Sequence, residues 1–320
     1  MGMLAAGQWT DDDGRQSDSG GHYRRAESPR RAWVTANGAP GPSGEGGYIA
    51  EKGRYHLYVA VGCPWAHRTM IVRKLKKLED VISLSCVAPR RGTQGWTFDR
   101  DGVYADPLFT SEHLHQIYTR GHPDYTGRVT VPVLWDKAGA TIVNNESSEI
   151  IRMLNGAFDR WAGGPDLYPL ALRQDIDRWN ARIYETVNNG VYRAGFAKTQ
   201  TAYEHAFDAL FATLDAIEEQ LGRTRYLCGD QMTEADWRLF PTLVRFDVAY
   251  VGAFKCNKKR IVDYPNLWPY LRELYQVPGV AETVDLDTYK RGYYSLSERN
   301  PSGIIPKGPS IDLTQPHGRA

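Results

Sequence analysis

Residues 54–61 alternate, with Tyr55, Leu57, Val59 and Val61 on one side and Arg54, His56, Tyr58 and Ala60 on the other. This period of two predicts a strand with one face more apolar than the other. The pattern breaks at Gly62-Cys63-Pro64. Beyond it Ile71, Leu75 and Leu78 recur at helical spacing among Arg and Lys, which predicts an amphipathic helix with proline in its first turn. Residues 81–88 (VISLSCVA) then predict a buried strand, and strand, helix, strand is the unit of a parallel sheet.

An irregular excursion over residues 89–128 follows, too long for an idle connection. The strand expected at 129–135 carries Pro132 inside it, where a missing ladder donor points to an edge, a bulge or a special backbone. Residues 141–155 predict a short strand, a polar turn and a helix opened by Glu146-Ser147-Ser148. A Gly- and Pro-rich stretch marks a linker at 157–170. Beyond it the period is helical, in segments 170–189, 200–221, 235–251 and 267–277, with Thr233 and Asp236 forming a variant capping box. The division expected is an arm without its own core (1–48), an α/β domain with a long insertion (49–156), the linker, an all-α domain (171–285) and a proline-rich tail (286–320).

Composition narrows the function classes. At 42% hydrophobic and 24% charged, with no apolar run near the ~20 residues needed to cross a bilayer, the 320-residue chain reads as soluble and without a membrane role. A net charge of +1 and short basic clusters give no field for nucleic acid. The first residues are too quickly acidic for a secretory signal, so a cytoplasmic location is expected. Four cysteines lie far apart with no CxxC, which argues against a disulfide framework or structural zinc. His113, His115 and His122 lack a carboxylate or thiol at ligand spacing, so no metal is expected.

Position sets Cys63 apart. A thiol at a strand-to-helix turn faces the unpaired N–H groups and positive dipole end of the helix, which favour thiolate, the nucleophilic form. Cys86, inside an apolar strand, reads as packing, as do Cys228 and Cys256.

The stretch Val61-Gly62-Cys63-Pro64-Trp65-Ala66-His67-Arg68 resembles the active-site signature of the glutathionyl-hydroquinone reductases, the xi class of glutathione transferases. The likeness continues in Gly95-Trp96, residues 131–136 (VPVLWD), residues 145–150 (NESSEI), residues 188–192 (NNGVY), Ala235-Asp236, residues 247–250 (DVAY), Tyr289 and Tyr293, and covers most of residues 30–310. It implies the glutathione transferase fold, a thioredoxin-like α/β domain followed by an all-α domain, and a two-fold homodimer.

The resemblance also implies roles. Pro132 takes the place of a cis proline, and Val131 before it presents backbone groups to glutathione. Glu146 and Ser147 take the place of the pair holding the γ-glutamyl end, the former for its ammonium and the latter for its carboxylate, while Trp96 and Arg128 match contacts to the glycyl end. Tyr192, Tyr250 and Tyr293 match three tyrosines that hydrogen-bond hydroquinone hydroxyls, in a cleft between the domains. The expected reaction uses Cys63, Tyr192 and Tyr293, with glutathione as co-substrate and no metal. Cys63 takes the glutathionyl group from a glutathionyl-hydroquinone, and a second glutathione resolves the mixed disulfide, because Ala66 stands where a dithiol reductase has its second cysteine. The competing reading is an omega-like monothiol transferase that reduces dehydroascorbate or protein mixed disulfides with the same cysteine.

Overall fold

Tyr55–Val59 is an inner strand of a four-stranded sheet in the computed structural model of this chain, which describes residues 2–12, 16–295 and 300–319. Its neighbours are Ser83–Cys86, parallel, and Val133–Asp136, antiparallel, with Thr141–Asn144 at the far edge. The helix Pro64–Leu75 makes the crossover between the two parallel strands. All five residues of Tyr55–Val59 are buried, so both faces of the strand are covered, not one. The polar positions survive burial because each is partnered. Both ring nitrogens of His56 lie 2.8 Å from serine hydroxyls, Ser83 and Ser85, and the Tyr58 hydroxyl donates to Asp106 at 3.0 Å.

The strand expected at 129–135 starts only at Val133, after a cis peptide bond between Val131 and Pro132. Asp136 at its end accepts two 2.8 Å bonds from the Arg54 guanidinium, an ion pair that ties it to the neighbouring strand. The helix Ser147–Gly156 packs on Pro64–Leu75. Inside the excursion are a hairpin, Arg91–Gly92 with Gly95–Trp96, and the helix Leu114–Gly121.

The described stretches of the arm expected over residues 1–48 are shared between two compact units. Met3–Ala5 pairs with Gln8–Thr10 and with Gly127–Arg128, and Leu4, Trp33 and Val34 are buried in the sheet-containing unit. Residues 16–25 belong instead with the helical unit, which resumes at Asp166, inside the stretch expected as linker. Each piece is short, so its burial comes from partners remote in sequence and leaves no periodic trace.

In the helical unit the helices Arg173–Ile183, Gln200–Leu221, Glu234–Arg245 and Leu267–Gln276 follow the periodic segments, and Gly190–Gly195 is a further helix between the first two. The Thr233–Asp236 capping box forms, with the Thr233 N–H donating to Asp236 at 2.8 Å. Two segments expected as single helices are interrupted by π-helical turns, Tyr184–Asn188 and Phe246–Tyr250. The region expected as tail begins with a further helix, Leu286–Tyr294, whose Tyr289 and Tyr293 are buried. Gly252 admits it. A Cβ there would clash with the Tyr294 hydroxyl, so any larger residue would have to displace that side chain. No helix among the described residues is long and apolar enough to cross a membrane.

Candidate active site

Cys63 is the N-cap of the helix Pro64–Leu75, with extended backbone (φ −84°, ψ 120°) and Pro64 in the first turn. Its carbonyl accepts the first helical bond, from the His67 N–H at 3.0 Å, and its side chain makes no capping bond. The thiol therefore stays available for chemistry. It is partly exposed, and its Sγ lies 3.6 Å from the carbonyl oxygen of Val131, the residue before the cis proline. For the other three cysteines burial is the main influence and raises the pKa, to about 11 for Cys228 and upward for Cys86 and Cys256. Their thiols are poor nucleophiles at neutral pH.

The helix Ser147–Gly156 starts beside this turn. Glu146 is its N-cap, accepting from the Ser148 N–H at 3.0 Å and hydroxyl at 2.9 Å, while its second oxygen accepts from the Ser28 hydroxyl at 3.2 Å. Ser147, almost wholly buried, receives Arg68 Nη1 at 3.4 Å. Arg68 is buried as well, and its guanidinium stands over the Trp65 ring, 4.6 Å from the centroid. A cation from the thiol helix thus reaches the start of a second helix whose dipole already favours an anion. Beyond that start, Asn144 accepts from the Glu146 N–H at 2.7 Å and donates to Glu149, which also forms an ion pair with Arg31.

Trp96 lies in the excursion hairpin, buried, directly across from Arg91, whose guanidinium is 4.0 Å from its ring centroid. Arg128 lies in the short strand that pairs with Met3. Cys63 with Val131, and Arg68 with Ser147, are thereby brought together in the sheet-containing unit.

The helical unit gathers the three tyrosines. Tyr293 is the hub, its hydroxyl 2.7 Å from that of Tyr192 and 2.8 Å from that of Tyr250. Two of the three are placed by π-helical turns: Tyr250 ends one, and Tyr192 lies one helical turn beyond the other. Such turns rotate the following side chains out of the regular helical register and recur at functional sites. Burial, then the neighbouring phenols, raises the Tyr250 pKa well above its ordinary value, so the group stays protonated. Arg25 completes the cluster, with its Nε donating to Asn189 at 2.6 Å and its guanidinium 4.9 Å from the Tyr192 centroid.

Sequence reasoning did not assign Arg68 or Arg25. Arg68 stands in the signature octapeptide, a signal that was there to use. Arg25 meets Asn189 across 164 positions, and nothing local announces that.

Comparison with known proteins places these observations. Residues 62–157 match the glutathione S-transferase N-terminal domain and residues 200–273 the C-terminal domain. The chain is 55% identical over its full length to the glutathionyl-hydroquinone reductase YqjG of Escherichia coli (98% of that protein), and 51% identical to the glutathionyl-hydroquinone reductase PcpF of Sphingobium chlorophenolicum (98% of each chain). The glutathione-bound structure of YqjG superposes with a TM-score of 0.90 at 53% identity, covering 98% of each chain. A xi-class transferase from Natrialba magadii gives a TM-score of 0.90 at 45% identity, covering 99% of this chain and 96% of that one. The chain belongs to the xi class of the glutathione transferases, the family of the glutathionyl-hydroquinone reductases.

Proposed function

We propose that this chain is a glutathionyl-hydroquinone reductase acting through a transient disulfide between Cys63 and glutathione. The observation that carries the reading is a partly exposed thiol at a helix start, next to the residue that precedes a cis proline, in a chain more than half identical to two reductases of this name.

Cys63 as thiolate attacks the sulfur of the glutathionyl-hydroquinone. The new S–S bond forms as the sulfur–ring bond breaks, its electron pair goes to the ring carbon, and that carbon gains a proton. The ring is reduced and Cys63 is oxidised to the mixed disulfide. Attack on that disulfide by a second glutathione restores Cys63 and releases oxidised glutathione. Resolution from within would need a second thiol at position 66, which here is Ala66.

The backbone of Val131, the Glu146 carboxylate and the Ser147 hydroxyl are assigned to glutathione, with Trp96 and Arg128 at its glycyl end. Arg68 behind Ser147 supports a carboxylate there, because a hydroxyl that accepts from a cation is a better donor. Tyr192, Tyr250 and Tyr293 are assigned to the ring hydroxyls. Phenols that already hydrogen-bond one another can exchange those bonds for bonds to a hydroquinone at little cost. We assign the enzyme to the cytoplasm and to a two-fold homodimer, which sedimentation analysis checks.

Turnover with chloro-, methyl- or methoxy-substituted glutathionyl-hydroquinones, set against dehydroascorbate, tests the reading. Higher kcat/KM on the ring substrates supports it. Preference for dehydroascorbate would return the omega-like alternative.

A further inference from the structure

The helix Leu114–Gly121 belongs to the excursion, and no role toward glutathione falls to it from the readings above. Its Tyr118 nevertheless joins the two chain segments that carry the assigned glutathione residues. The Tyr118 hydroxyl donates to the carbonyl of Thr130, the residue before Val131, at 2.8 Å, and lies 3.4 Å from the Thr130 hydroxyl. It accepts from the Thr130 N–H at 3.3 Å and from the side-chain amide of Asn145, the residue before Glu146, at 3.2 Å. Tyr118 is fully buried, so the hydroxyl has no water to turn to. Burial raises its pKa, which keeps the proton on the phenol and the donation to Thr130 intact.

Asn145 is held from its other side too. Its Oδ1 accepts from the Arg30 N–H at 3.2 Å, and its own N–H donates to the Arg30 carbonyl at 3.1 Å. The segment entering the Val131 turn and the segment entering the Glu146 helix are therefore referenced to one oxygen atom. A tripeptide whose backbone is met by Val131 and whose γ-glutamyl end is held by Glu146 and Ser147 needs that spacing fixed before it binds.

We propose that Tyr118 is a positioning residue for glutathione, setting the spacing between the Val131 backbone and the Glu146–Ser147 helix start. The inference rests on the assignment of Val131, Glu146 and Ser147 to glutathione. Its consequence is that part of the long excursion serves the glutathione site from behind, without touching the ligand.

Tyr118→Phe removes the bridge and keeps the ring, which packs edge-on against Tyr125 at 4.9 Å. The expected result is a KM for glutathione in the resolving step raised about three- to tenfold, the range one hydrogen bond's net worth spans. The value of kcat at saturating glutathione and the rate of Cys63 alkylation by iodoacetamide should stay within about twofold of the parent. Asn145→Ala opens the same bridge from its other end and should raise the same KM, with the double variant less than additive.

Ser147→Ala tests the underlying assignment separately. If it raises the glutathione KM while Tyr118→Phe lowers only thermal stability, Tyr118 is structural and the inference is overturned while the assignment stands. If neither variant moves that KM, both fall. Should Tyr118→Phe fail to fold, Asn145→Ala decides alone, and an unchanged KM overturns the inference.

Discussion

The Sγ atom of Cys63 lies 3.6 Å from the carbonyl oxygen of Val131, so the thiol at the helix start faces the turn that carries the cis proline. Replacing Cys63 removes the thiol assigned as nucleophile and little else, because the side chain caps no helix N–H. Cys63→Ala and Cys63→Ser should both fold, with unchanged far-ultraviolet circular dichroism, and both should lose release of hydroquinone. Serine at this position can hydrogen-bond but cannot exchange at sulfur. Substantial turnover by either variant would remove Cys63 from the mechanism.

Glutathione disulfide offered at neutral pH should modify Cys63 alone. Burial raises the pKa of the other three thiols, to about 11 at Cys228, which leaves almost no thiolate there. Peptide mapping by mass spectrometry checks this, and an adduct on Cys86, Cys228 or Cys256 at a comparable rate counts against it.

Tyr293 joins Tyr192 to Tyr250, so its hydroxyl is expected to matter more than either of the others. Tyr293→Phe should lower kcat/KM on a glutathionyl-hydroquinone by about tenfold or more, and Tyr192→Phe and Tyr250→Phe by less, since each breaks one phenol contact where Tyr293→Phe breaks two. Alkylation of Cys63 should be unaffected in all three. Steady-state kinetics on one substrate gives the ranking, and an unchanged kcat/KM in Tyr293→Phe would strip the trio of its assigned role.

His56 makes stability depend on pH. Burial lowers its pKa from 6.5 to about 4, so the folded protein holds the ring neutral where the unfolded chain would protonate it. The stabilisation is complete above pH 6.5 and is lost as pH falls toward 4, in total on the order of 3 kcal/mol. His56→Gln should lower the urea midpoint at pH 7, because a fully buried ring bonded to Ser83 and Ser85 is lost, and should flatten its decline between pH 6.5 and 4.5. An equal decline in both proteins would assign the acid sensitivity elsewhere.

The sheet, the thiol helix and the helix Gln200–Leu221 could be read directly, because period and punctuation agree there: an alternating run ends at Gly62-Cys63-Pro64, and residues 207–217 keep helical spacing. Less could be read where burial depends on distant partners. Tyr58 and His56 look solvent-facing by alternation, and only Asp106, Ser83 and Ser85 make their burial tolerable. The helix Leu286–Tyr294 sits among prolines and glycines that suggest a tail, and is held by contacts such as Arg245 against the Tyr289 ring at 3.6 Å. The thiol assigned as nucleophile was visible as one residue in a local motif. The role of Tyr118 was not, since it depends on Thr130 and Asn145, 12 and 27 positions away.

A single turnover without free glutathione tests the central claim most directly. Reduced protein mixed with one equivalent of a glutathionyl-hydroquinone should release one equivalent of hydroquinone, while intact mass rises by one glutathionyl group located on Cys63. Release of the ring only after free glutathione is added, with no adduct on the protein at any time, would mean that glutathione itself attacks the substrate and that Cys63 never carries it.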